Sequence, residues 1–318
     1  MSSIESIRLI ASEWNIEVRT LRPDLNPGGS PERSLFRCVF QDVSGKLMLL
    51  ENIPTETIGQ KRRIQRTLSL LKRRGINGIT PYHPLPQGGG ILTHRGSFWQ
   101  LSDFISSVTL KRPDYAYEGW RGRAMAEFLI ELRTEGGEIP VFDRCQPFQL
   151  QRFLIDLFRR LERFEADLYL RLKPERVFLE RHFFATAESM PIGFCHGDFH
   201  PMNILWGEHR INAVIDWEFC GYKSEIYDMA LMIGCAGMEE PSSLTQDMVC
   251  EFLRCLRSSS RFSSYNWEIL FPFVLAVRWA WLSEWLRGGD REMIELEAVY
   301  MRMLFENRSR LTEAWKNA

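Results

Sequence analysis

Apolar and polar positions follow two regimes along the chain, a period of two with short turns near the N-terminus and helical spacing after about residue 118. Residues 4–13 predict a short amphipathic helix, and Ile16, Val18 and Leu21 then alternate with polar neighbours as a first strand does. The turn-forming run Asn26, Pro27, Gly28, Gly29, Ser30 and Pro31 precedes a strand over 35–41; Ser44 and Gly45 turn the chain into another over 47–51, completing a three-strand meander. A helix is expected over 57–74, capped by Gly75. Pro81, Pro84 and Pro86 hold the next segment extended, and Gly88, Gly89 and Gly90 open a hairpin with strands over 91–93 and 98–101. The N-terminal part therefore reads as a five-stranded sheet.

Beyond Glu118, Ala124, Phe128, Leu129 and Leu132 share one helical face, and 149–172 repeats apolar residues at helical spacing through Phe153, Leu157, Leu161, Phe164 and Leu168. The last third, from about 242, is helical and rich in tryptophan. Arg278, Trp281, Leu282 and Trp285 lie on one face of a helix ending at Gly288 and Gly289. That stripe reads either as core packing with one snorkelling arginine or as a wall for a ligand.

The stretch from Cys195 to Asp228 is the centre of the sequence. Asp198 is followed five residues later by Asn203, in a loop interrupted by Pro201, and Asp216 ends the apolar run Ala213, Val214, Ile215. With Gly207, Glu208 and His209 as the turn, a short hairpin returns Asp216 close to Asn203. Oxygen-bearing side chains so arranged hold metal ions against a nucleoside triphosphate.

The run HGDFHPMN followed by IDWE resembles the catalytic and metal loops of the aminoglycoside phosphotransferase and choline kinase group, relatives of the eukaryotic-type protein kinases. The resemblance implies an α+β, bilobal, protein-kinase-like fold, with a nucleotide-binding lobe over 1–103 and a mainly helical catalytic and acceptor-binding lobe over 104–318. It implies that Asp198 accepts or orients a substrate hydroxyl, that Asn203 and Asp216 hold Mg2+, and that Asp228 braces the catalytic loop, with His196 and His200 shaping it. Gly28, Gly29 and Ser30 would cover the phosphates, and the backbone of Gln100, Leu101, Ser102 and Asp103 would meet the base. The expected activity is transfer of the γ-phosphoryl group of ATP, GTP not excluded, to a hydroxyl of a small acceptor. Glu218, Arg278, Trp281 and Trp285 are the candidate acceptor contacts.

One position departs from the family pattern. Where relatives carry a phosphate-pairing Lys or Arg on the third strand, this chain has Glu51, and the following helix reads QKRRIQR. The charges look exchanged, and Glu51 is expected to pair with Lys61, Arg62 or Arg63 while one of these cations reaches the phosphates. The same departure motivates an alternative, a kinase-like nucleotide-binding module without turnover. A second alternative takes His196, Asp198 and His200 as ligands of a metal-dependent hydrolase, although His83, His94, His182 and His209 supply no further cluster.

Composition narrows this further. The 318 residues are 45% hydrophobic, and 40 Lys plus Arg against 41 Asp plus Glu leave a formal charge of −1, which gives no electrostatic footprint for nucleic acid or an anionic membrane. Seven scattered cysteines without a C-x-x-C pair suit reduced thiols and a cytoplasmic location, with no structural zinc. The first residues lack the features of a signal peptide, and 269–286 carries Pro272, Arg278 and Glu284, so it reads as a core helix and not as a membrane span.

Overall fold

Alternating burial along the N-terminal strands divides one sheet into two faces. The computed structural model describes residues 4–25, 33–142, 145–187 and 189–318. Strands β1 (Val18–Leu21), β2 (Phe36–Asp42), β3 (Leu47–Ile53), β4 (Leu92–His94) and β5 (Ser97–Asp103) form an antiparallel sheet in the order β1-β2-β3-β5-β4. Because successive side chains of a strand point to opposite faces, Cys38, Phe40, Met48, Leu50, Trp99 and Leu101 share one face. It is closed by Ile7, Ile10 and Ala11 of helix α1 (Ile4–Ala11) together with Trp14. The other face carries Arg37, Leu49, Glu51, Gln100 and Ser102, and it looks toward the rest of the chain.

Helix α2 (Ile58–Arg73) crosses behind that polar face. Its buried positions Lys61, Ile64, Gln65, Leu68 and Leu71 recur at helical spacing, and Ile64, Leu68 and Leu71 belong to the larger apolar core of the helical region. The second helix is therefore anchored to the large core as well as to the sheet it follows.

The helical region comprises α3 (Gly119–Glu135), α4 (Leu150–Phe164), α5 (Ala166–Arg171), α6 (Lys173–His182), α7 (Phe184–Ala187), α8 (Tyr227–Glu239), α9 (Asp247–Ser258), α10 (Tyr265–Glu268), α11 (Leu270–Gly288), α12 (Arg291–Glu306) and α13 (Arg308–Asn317). The expected helix over 149–172 is broken at Glu165, whose φ of −136° and ψ of 53° leave the helical region, and Phe164 beside it is exposed. α3 lies directly against α9, with Gly122 at the contact; a Cβ there would come within 1.9 Å of the Met248 carbonyl oxygen. Two small ribbons are set into this region. β6 (Ile192–Cys195) pairs with β9 (Gly221–Ser224), and β7 (Ile204–Trp206) pairs with β8 (Ile211–Val214). Among the described residues no helix is long and apolar enough to cross a membrane. α11, the most apolar late helix, is instead buried along Leu270 to Trp279.

Candidate active site

The β7-β8 hairpin brings the three central side chains together. Ile204 pairs with Val214, and the Ile215 amide donates to the Asn203 carbonyl at 2.9 Å, so Asp216 emerges beside the loop that carries Asp198 and Asn203. Asp216 adopts φ 64° and ψ 55°, a left-handed conformation that costs a non-glycine residue about 1–3 kcal/mol and persists only where its surroundings over-determine it. Those surroundings are the indole of Trp217, which donates to Val214 O at 2.8 Å and meets the His196 ring edge-on at 4.5 Å.

The loop from His196 to Asn203 is held by hydrogen bonds to its own backbone. Asp228, at the start of α8, accepts from the His196 amide at 2.7 Å and the Gly197 amide at 2.8 Å. Gly197 is a glycine of necessity: its φ is +86°, and a Cβ would sit 2.2 Å from the Phe219 carbonyl. His196 donates from Nε2 to Ile215 O at 2.8 Å and accepts from the Asp198 amide at Nδ1, so both ring nitrogens are engaged. Burial pushes its pKa down to about 3, which keeps the ring neutral. Burial, with Arg278 and Arg33 nearby, likewise lowers His200 to about 4; its Nδ1 accepts from Met202 N and its Nε2 lies 3.6 Å from Asp198 Oδ1.

Asn203 Nδ2 donates to both the Asp198 carbonyl and Asp198 Oδ2, each at 2.8 Å. Two acceptors fix which end of the amide is nitrogen, and they leave Oδ1 on the opposite side as an oxygen donor. Burial raises Asp198 to about 6, an effect that Asp216 reinforces and the Asn203 bond opposes. Asp228 is raised to about 6 by burial against the two amide bonds it accepts. The oxygen set of Asn203 and Asp216 fits Mg2+, a hard cation usually held by one or two protein groups together with substrate phosphates. Among the described residues no cluster of three or more His, Cys, Asp or Glu side chains forms a metal cage, and His196 has no nitrogen left to act as a ligand.

A cavity of about 470 Å³ opens between the sheet's polar face and the hairpin, within the range of small-molecule sites. Its lining corrects several expectations. Gln100 and Leu101 do not reach it: Gln100 is fully buried, its side chain donating to Glu51 Oε2 at 2.8 Å, and the Leu101 carbonyl accepts from the His83 amide at 2.7 Å. Ser102 and Asp103 do line it, followed by Phe104, Ile105 and Ser107. This connection is pinned from below, where Ser107 Oγ accepts from the Trp206 amide and Ser106 O from Asn212. Gly28, Gly29 and Ser30 lie outside the described residues.

The expected ion pair of Glu51 with the helix is not formed. Glu51 Oε1 accepts from Arg37 Nε at 2.9 Å, its direct cross-strand partner on β2. Lys61 is buried and pairs with Glu218 Oε1 at 2.5 Å, Gln60 Nε2 donates to the Glu218 carbonyl at 2.8 Å, and Arg62 and Arg63 are exposed. Burial works against the Glu218 charge, but Lys61 holds its carboxyl below the usual range. Glu218 is thus paired with α2 while it lines the cavity. Arg33, just before β2, pairs with Asp216. Arg37 escaped the sequence reading although a signal was present: with Ser44 at the centre of the hairpin, Arg37 and Glu51 fall seven residues to either side.

Arg278 is also corrected. It is 2% exposed and bidentate to Glu297, at 2.7 and 2.6 Å, so it belongs to the core. Trp281 and Trp285 are half-buried, their rings 5.5 Å apart, and Trp281 lies 6.3 Å from the His200 ring.

Known proteins resemble this chain along most of its length. An amicoumacin kinase solved with AMP-PNP, Ca2+ and Ami superposes with a TM-score of 0.66 over 96% of this chain and 94% of its own, at 11% identity. A spectinomycin phosphotransferase solved with ADP and spectinomycin gives 0.64 over 100% and 99%, at 13% identity. At such identities these likenesses establish the two-lobed, protein-kinase-like fold. In sequence, a homoserine kinase of Rhizobium etli is 24% identical over 193 residues, 57% of this chain, and the chain spans 56% of the length of that curated relative. The description "Phosphotransferase enzyme family" matches residues 40–252, from the end of β2 to the middle of α9 and across the whole Asp198 to Asp228 block, and the chain belongs to that family.

Proposed function

We propose that the protein is a small-molecule kinase that transfers the γ-phosphoryl group of ATP, or of GTP, to a hydroxyl of a small acceptor. The observation that carries this reading is Asp198, buried and locked to Asn203, with Asp216 close enough to act on its charge and itself lining the cavity. The lobes 1–103 and 104–318 would bind the nucleotide between them, with the segment from Ser102 to Ser107 against the base, and the reaction would take place in the cytoplasm.

Each residue then has a defined task. Asp198 accepts a hydrogen bond from the acceptor hydroxyl and takes its proton as the new oxygen–phosphorus bond forms, while the γ-phosphorus bond to the β,γ-bridging oxygen breaks and the nucleoside diphosphate leaves with the electron pair. Asn203 fixes the carboxylate's rotamer through Oδ2 and, with Asp216, offers oxygens to Mg2+. Magnesium, when bound with the nucleotide, neutralises phosphate charge in a loose transition state. Asp228 and His196 keep the loop from relaxing, so that reacting atoms meet in line at little cost in orientation. Trp281, beside His200, and Trp285, packed against it, supply an apolar wall for the acceptor. The relatives are named for homoserine, amicoumacin and spectinomycin, small molecules all, and this supports the acceptor class without selecting a member.

The reading without turnover loses its motive, because Arg37 offsets the charge of Glu51. A thermal-shift titration with ATP and GTP, with and without magnesium, tests the nucleotide site. At a hundredfold excess over Kd, selective binding stabilises the folded state by about 2.7 kcal/mol. A magnesium-dependent shift that vanishes in Asp216→Ala is expected, followed by turnover when hydroxylated acceptors are screened. Absence of any shift with either nucleotide refutes the reading.

A further inference from the structure

The two oxygens of the Asp198 carboxylate have different surroundings. Asn203 Nδ2 donates to Oδ2 at 2.8 Å and fixes the plane of the group, while Oδ1 faces His200 Nε2 across 3.6 Å. Among the described residues no donor bonds Oδ1.

On the far side of that gap, the tautomer of His200 follows from its neighbour. His200 is extended, with φ −150° and ψ 164°, and caps the short turn Pro201–Asn203: its Nδ1 accepts from the Met202 amide at 3.3 Å. A ring nitrogen that accepts carries no proton, so the proton of the ring is on Nε2, the nitrogen that looks at Asp198. Trp281 of α11 packs edge-on against the same ring at 6.3 Å and helps to hold its orientation.

A donor and an acceptor thus face each other at 3.6 Å, too far for a bond between them and a suitable separation for one shared oxygen. An oxygen about 2.8 Å from Oδ1 and about 2.9 Å from Nε2 closes the triangle. To satisfy both it must donate to one and accept from the other, which is the property of a hydroxyl group or of water. The side chains of His200 and Asp198 are 15% and 11% exposed, so the pair is not sealed in the core.

We propose that His200, through Nε2–H, is the second point that holds the acceptor hydroxyl, donating to its oxygen while Asp198 Oδ1 accepts its hydrogen. The proposal rests on the reading of Asp198 as the group that takes the hydroxyl proton. With both contacts made, the one lone pair left on the oxygen is fixed in direction, and that pair attacks phosphorus. In the step itself the proton passes to Oδ1, the lone pair forms the bond to the γ-phosphorus, and the nucleoside diphosphate leaves with the electrons of the broken bond. His200 keeps its proton throughout.

Two substitutions separate the two ring nitrogens. His200→Asn puts an oxygen near the position of Nδ1, keeping the cap on Met202 and losing the donor; His200→Gln puts an NH2 near the position of Nε2, keeping the donor and losing the cap. The test is hydrolysis of magnesium ATP by the full chain, with water as the hydroxyl probe. Phosphate release is read beside the ATP Kd from calorimetry and the thermal unfolding midpoint. His200→Asn is expected to slow release by about tenfold or more, with the ATP Kd within about twofold and a midpoint near wild type. His200→Gln should stay within about threefold of the wild-type rate at a lower midpoint. Equal rates in the two variants, or the reverse order, would make His200 a cap only and overturn the proposal. A raised ATP Kd in His200→Asn would place the contact on the nucleotide and overturn it as well. If neither variant folds, 15N NMR of the wild-type imidazole decides: a proton on Nε2 is expected, and a proton on Nδ1 overturns the proposal. A wild type that binds magnesium ATP but releases no phosphate overturns the proposal alone, whereas one that binds no ATP removes the nucleotide reading beneath it.

Discussion

The two walls of the cleft are held by different physics. Below, the loop from His196 to Asn203 is fixed mainly through backbone groups: Asp228 accepts two amides, His196 spans from the Asp198 amide to the Ile215 carbonyl, and Asn203 locks Asp198. Above and behind, the sheet and α2 are fixed through side-chain charges, Arg37 with Glu51 and Lys61 with Glu218. The first kind of wall tolerates little exchange, because each bond needs one geometry over a few residues. The second can trade a cation from one element to another, provided every buried charge still finds an opposite one.

The sharpest way to break this contrast is Lys61→Met, which strands the Glu218 carboxylate in a largely buried setting. Losing one partner of a buried pair typically costs about 3–5 kcal/mol. Denaturant unfolding should show a loss of that order, and Lys61→Met with Glu218→Leu should regain most of it; equal stability of the single and double variants would contradict the exchangeable-charge picture. Next in size is Asp198→Asn, which should reduce turnover at least about 100-fold, roughly 2.7 kcal/mol in the barrier, with nucleotide affinity retained. Full activity in that variant would deny Asp198 its role.

Asp228→Asn probes the backbone-held wall more gently. It replaces one acceptor oxygen with an NH2 group facing an amide, and about 1–3 kcal/mol of stability should be lost, together with turnover. A variant of wild-type stability would show that the loop does not depend on the brace. The smallest effect concerns protons. Burial, reinforced by Asp216, raises Asp198 to about 6 in the protein without metal, so below that pH the carboxyl is protonated and cannot accept the hydroxyl proton. Site-resolved carboxyl NMR of the metal-free protein should show two titrations near pH 6, from Asp198 and Asp228, of which only the Asp228 one remains in Asp198→Asn. Magnesium at Asp216 should draw the Asp198 midpoint downward, and the acid limb of kcat/KM should follow it.

How much of this was readable in advance varied with the distance over which each interaction acts. Asp198 and Asn203 are five residues apart in one loop, and the hairpin that returns Asp216 has its own turn, so spacing alone brings the three to one place. The five strands were legible for a similar reason, since period-two burial and glycine turns are local properties. Which residues of 98–103 line the cavity was not legible, because the end of a strand is set by its partners; the Leu101 carbonyl is consumed by His83, a contact that no pattern within 98–103 announces.

The sequence by itself determined the family, the fold class and the meeting of Asp198, Asn203 and Asp216 in the 195–228 block, all of which depend on residues close in the chain and on the periodicity of its elements. Only the tertiary structure decided which charge meets which. Lys61 and Glu218 are 157 residues apart, and Arg278 and Glu297 come from different helices. Long cationic side chains can reach any of several carboxylates, and the choice falls to whichever one the packed core brings within hydrogen-bonding distance while water is excluded.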